Sequence, residues 1–257
     1  MTEADWWAAP DPRALIDWLF FDAHASDRKL RLFSVACCRR VEHLAGGAPF
    51  PFLLRMLEAF ADGQEDEDRV RRAFESVTAW HREREQTIAS TQHGSPPFDE
   101  VEVVAQRAIT FAGQIDLPHR KDTARDRERY NSLNEVPYPC EVGSAIYYTY
   151  NHLGPAELAD LIMVRLLHDI FGPLPFRDVP VAPAWLTSDV TALARGVYVE
   201  KAFDRMPILA DALQDAGCDN DEVLNHCRAA GWEHVRGCWV VDLLLGKPWR
   251  EGDATPG

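Results

Sequence analysis

The chain has 257 residues, 46% hydrophobic and 26% charged, a balance that suits a folded globular protein and excludes a disordered or fibrous one. Its 27 lysines and arginines face 41 aspartates and glutamates, a net charge of -14 whose field repels phosphate backbones and anionic lipid alike. The apolar run from Trp239 to Leu245 is too short to span a bilayer and is interrupted by Asp242, so neither a nucleic acid nor a membrane is expected as partner.

The opening Met1-Thr2-Glu3-Ala4-Asp5 is acidic where an export signal is basic and then apolar, which points to a cytoplasmic protein. Cys37, Cys38, Cys140, Cys218, Cys227 and Cys238 are then expected as reduced thiols. Pro12 after Asp11 starts a short helix to about Phe21. A second helix starts at Ser26 and carries Leu30, Phe33, Cys37, Val41 and Leu44 on one stripe, closing on Gly46-Gly47. A third runs from about Pro51 to Asp62 with Gly63 as its stop, and a fourth from about Asp66 buries Val70, Phe74, Val77 and Trp80. The mixed charges on its other face read as solvated surface.

His93-Gly94-Ser95-Pro96-Pro97 breaks the chain before a helix from about Phe98 to Ile115. From Leu117 to Gly143 the sequence is irregular, charge-dense from His119 to Arg129 and then proline-containing, the natural place for a connector. The predicted organisation is an N-terminal helical region, 1–116, a connector, 117–143, and a C-terminal helical region, 144–257, or one continuous domain. Ile146 to Tyr150 has strand-like composition but also fits a helix ending before Gly154.

Apolar residues lie on almost every side of the segment Pro155 to Phe171, which predicts a central helix. Arg165 and Asp169, four apart in it, are expected to pair. After a proline-rich stretch to Trp185, helices are predicted over Ser188 to Ala202, Asp204 to Ala216, Asp219 to Ala229 and Arg236 to Leu245, with Asp219 and Glu222 as a capping box. The fold class is all-α, a multi-helix bundle or irregular helical-repeat-like array of about nine to eleven helices.

Three stretches carry a resemblance: Ser26-Asp27-Arg28-Lys29-Leu30-Arg31-Leu32-Phe33 with Cys37-Cys38-Arg39-Arg40; Ala202 to Leu213; and His226-Cys227-Arg228 with His234-Val235-Arg236-Gly237-Cys238-Trp239 through Gly246. His168 to Gly172 and Pro183 to Thr187 fit the same pattern. The chain resembles a bacterial family, abundant in planctomycete genomes, whose function is unknown. The resemblance implies a helical module that stands alone or accompanies interaction domains, and it implies no activity.

The densest set of potential ligands is His226, Cys227, His234 and Cys238. Zinc takes four nitrogen or sulfur donors in a tetrahedron, although adjacent residues such as His226 and Cys227 diverge by about 100 degrees on a helix. A second constellation sets Cys238 as nucleophile, His234 as base and Asp242 as the group orienting it, at steps of four along one helix. The third alternative makes Cys227 and Cys238 core thiols, places His226 and His234 at helix ends, and pairs Asp242 with Arg236 or Arg205. A helix-turn-helix over Leu224 to Val241 is rejected, because the would-be reading helix has no basic or amide side chain. There is no phosphate loop, HExxH or GxSxG. The favoured expectation is therefore a non-enzymatic scaffold or interaction module with a protein partner and no cofactor. The alternative is a zinc-binding protein or a cysteine- or metal-dependent hydrolase built on the span from His226 to Asp242.

Overall fold

A computed structural model of the chain describes residues 1–44, 49–90, 156–229 and 231–250. The predicted helix from Phe98, the connector 117–143 and the segment around Tyr147 lie outside the described residues, as do Gly46-Gly47 and Cys140. Among the described residues there are ten α-helices and no strand, which is the all-α class read from the periodicity.

The helices are α1 (Glu3–Ala8), α2 (Pro12–Phe21), α3 (Asp27–Val41), α4 (Phe50–Ala61), α5 (Glu67–Ser90), α6 (Ala156–Phe171), α7 (Ser188–Glu200), α8 (Met206–Asp215), α9 (Asp221–Arg228) and α10 (Trp239–Leu244). Side-chain caps set several starts. Asp11 accepts from the Arg13 amide, Ser26 from Lys29 and Thr187 from Val190, each satisfying an amide that the helix itself leaves unpaired. Helix α1 had no apolar period long enough to announce it. It is held by a capping box in which Thr2 and Asp5 exchange side-chain and backbone bonds. At α9 the predicted Asp219 box is replaced by Asn220, whose side chain accepts from both Glu222 and Val223.

The central helix is α3. Every residue from Lys29 to Cys38 is buried, with α4 on one side and α6 on another. Helix α6 was expected to be apolar all round, but Leu158 and Leu161 are 45% exposed, Arg165 is exposed and Ile162 is half-buried. It buries one face, formed by Met163, Leu166, Leu167 and Ile170. Residues of the N-terminal helices and of α6 to α10 belong to one hydrophobic core.

The last helix begins three residues later than its period suggested, at Trp239. Residues 231 to 238 therefore form a loop that crosses α3, and Gly237, at φ +96, is pressed so close to Leu32 that a Cβ there would come within 3.0 Å of it. At the C-terminus of α6, Gly172 has φ +51, and a Cβ there would lie 2.6 Å from the Trp239 indole.

A candidate metal centre

Four potential ligands from three elements meet beside α3: Asp169 of α6, His226 of α9, and His234 and Cys238 of the loop before α10. One donor atom from each lies within 4.8 Å of all the others. His234 Nδ1 is 2.6 Å from Asp169 Oδ1 and His226 Nε2 is 3.3 Å from the same oxygen. Cys238 Sγ is 3.2 Å from His226 Nε2 and 3.9 Å from His234 Nδ1. The Val235 amide donates to Asp169 Oδ2 at 2.9 Å, and the Trp239 indole donates to His226 Nδ1 at 3.1 Å.

The carboxylate of Asp169 is wholly buried. Burial raises its pKa, but the hydrogen bonds from His226 and His234 outweigh that and hold it down at about 2. Among the described residues no lysine or arginine pairs with it. Burial pushes His226 below the usual histidine value, with Asp169 opposing. Because an indole N–H can only donate, His226 accepts at Nδ1, and the proton of the neutral ring sits on Nε2, facing Asp169 and Cys238. Cys238 has no solvent exposure, and burial, followed by the charge of Asp169, pushes its thiol well above the ordinary range.

A second cluster flanks the first. Arg28 grips Asp242 with both terminal nitrogens, at 2.7 and 3.0 Å, and reaches Asp62 through Nε at 3.0 Å. Asp62 also receives Arg236, Lys247 and the Tyr198 hydroxyl. Lys29, fully buried, donates to Asp242 at 2.7 Å and to the carbonyls of Ile170 and Gly237 at 2.8 and 2.6 Å. Those carbonyls adjoin Asp169 and Cys238 in the chain, so the ammonium of α3 fixes two walls of the Asp-His-His-Cys cluster. Burial pulls the Lys29 pKa down and Asp242 opposes this. Asp242 itself is raised by burial and lowered more by Lys29 and Arg28.

This geometry redraws the sites read from the sequence. His226, His234 and Cys238 do converge. Cys227 does not join them; it packs into the core, its thiol pushed up to about 12 by burial, because its side chain leaves α9 in another direction. Asp169 takes its place. The Cys238, His234, Asp242 stripe does not exist, since His234 lies in a loop and Asp242 is bound to Arg28 and Lys29 rather than to Arg236 or Arg205. The carboxylate on His234 is Asp169, which makes no pair with Arg165. What the periodicity could have signalled was a lone carboxylate on the apolar face of α6, a position that demands a partner.

No family model matches the chain, and neither a curated protein nor a solved structure is similar to it.

Proposed function

We propose that the chain is a non-enzymatic helical module built around a structural zinc site whose ligands are Asp169, His226, His234 and Cys238. The observation that supports this is the convergence of four zinc-type donors around a buried carboxylate that, among the described residues, no lysine or arginine pairs with. Imidazole and thiolate suit zinc, and a divalent ion with one carboxylate and one thiolate forms a neutral, closed site. Asp169 and Cys238 have no exposed surface, which suits a structural rather than a catalytic site. A buried thiol above its ordinary pKa is likewise a poor nucleophile. Lys29, within electrostatic reach of Cys238, favours the thiolate that a metal needs. A scaffold that meets another protein through its surface agrees with the implied company of such modules.

Purified protein is expected to carry close to one zinc per chain by elemental analysis. Chelation should lower its melting temperature, and Asp169→Asn or Cys238→Ala should remove both the metal and the chelator response. A metal-free protein indifferent to zinc and to chelator would end this proposal.

The Trp239 bond favours a second reading, in which protons alone bridge the four residues. A metal on His226 Nε2 moves that proton to Nδ1 and costs the indole its acceptor. Under the zinc reading Trp239→Phe therefore tightens metal binding; under the proton-bridged reading it loosens His226 and brings no metal.

A further inference from the structure

A cleft of about 320 Å³ opens between α3, the residues around Lys201 that follow α7, and the loop before α10. This is at the lower end of the size of ligand pockets, roughly 300 to 1,000 Å³. Its apolar lining comes from Leu32, Val35, Ala36, Phe203 and Val235. Its charged lining is Arg39, Arg40, Lys201 and Arg236 against Glu58 and Glu233, four cations to two carboxylates in a chain whose net charge is -14.

The cations also have to share. Arg39 and Lys201 both bind Glu58, at 3.3 and 2.6 Å, and Arg39 also pairs with Glu42 at 2.8 Å. Arg40 pairs with Glu233, linking α3 to the loop. Arg236 reaches Asp62, a carboxylate already bonded to Arg28 and Lys247. The Arg236 guanidinium also packs over the Tyr198 ring, 4.6 Å from its centroid. Arginine forks match oxyanions in shape as well as charge.

We propose that this cleft binds a small amphipathic monoanion, an alkyl carboxylate whose tail lies on the Leu32, Val35 and Ala36 face of α3 and whose head is held by Lys201 and Arg236. The apolar lining excludes a bare inorganic anion, and the cationic excess excludes an alkyl ammonium. The proposal does not rest on zinc: the cleft is bordered by His234, but its chemistry comes from α3 and the arginines.

The test is calorimetric titration of the full chain with octanoate at low salt and neutral pH, with octylammonium and acetate as comparators. One octanoate per chain is expected, with both comparators at least about tenfold weaker, the value of one charge-assisted hydrogen bond. Lys201→Asn, at an exposed left-handed position where asparagine is tolerated, should weaken octanoate about tenfold while the chain still melts cooperatively, with Arg39 left to hold Glu58. Ala36→Leu should abolish binding by filling the lining. Equal binding of octylammonium, no binding of octanoate, or octanoate binding that is unchanged in Lys201→Asn would each overturn the proposal.

Discussion

Two clusters of buried carboxylates lie side by side under the loop before α10, and they solve the same problem in opposite ways. Asp62 and Asp242 are met by Arg28, Lys29, Arg236 and Lys247, so that positive charge is in excess. Asp169 is met by two imidazoles and one amide, and among the described residues no lysine or arginine pairs with it. A buried ion pair needs complete hydrogen bonding to repay its desolvation, and the first cluster provides it within the chain. The second is satisfied in hydrogen bonds but not in charge. That difference is what makes it the candidate for an external cation.

The contrast can be broken most severely at Asp242. Asp242→Asn leaves Lys29 buried beside Arg28 without a carboxylate, and chemical denaturation should show a loss of about 3 to 5 kcal/mol. A loss below about 1 kcal/mol would mean that Lys29 is solvated or neutral in the folded state. Asp169→Asn should behave differently: in chelated protein it costs about 1 to 3 kcal/mol for the donors it strands, while in zinc-loaded protein the loss is larger because the metal's binding energy is also folding energy. If the two losses are equal, no metal is bound at Asp169.

Acid should separate the clusters in order. His226 has a folded pKa below its ordinary 6.5, so the unfolded chain takes up a proton first and stability falls as pH drops below about 6.5, by at most about 1.4 kcal/mol per pH unit for this one group. Asp62 and Asp242 lie below their ordinary 3.8, so their contribution is complete above that value and is lost only as pH falls further, through their folded values. His168, buried against the Trp6 carbonyl, is also pushed below 6.5 by burial. Unfolding free energies of chelated protein between pH 7 and 3 should therefore show two descents, and the first should shrink in His226→Gln and disappear only when His168 is also replaced. A first descent unchanged in His226→Gln would show that His226 titrates alike in both states. The smallest effect is expected at Arg165, which is exposed and takes no part in holding Asp169. Arg165→Ala should fall within about half a kcal/mol of the parent.

The sequence carried the helices well where caps and apolar periods coincide, as at Ser26 and Gly63. It misjudged which helix lies at the centre. Leucines at every turn made α6 look buried all round, yet Leu158 and Leu161 face outward. The central α3 carries Lys29, Arg31 and Ser34, which periodicity counts as surface. The burial of Lys29 depends on partners from Ile170, Gly237 and Asp242 and that of Arg31 on the Phe60 ring, all distant in the chain, while Ser34 turns back on the Leu30 carbonyl. The candidate site was half legible for the same reason. His226, His234 and Cys238 cluster in sequence, whereas Asp169 reaches them only through the packing of α6 against the loop. The proposed stripe to Asp242 failed because Gly237 takes a left-handed conformation and the helix starts after it.

Gly172 brings no functional group to any of this, yet it touches the metal candidate through one intermediary. Its missing side chain is the seat of the Trp239 indole, and that indole packs against the ring of His226, with centroids 5.1 Å apart, so that a displaced indole would push the imidazole aside sterically. Any larger residue would act as a wedge, tilting the indole and, through it, the imidazole. Gly172→Ala would then damage ligand alignment from a position that donates nothing, and a search for loss-of-metal variants confined to histidines, cysteines and acids would pass over it.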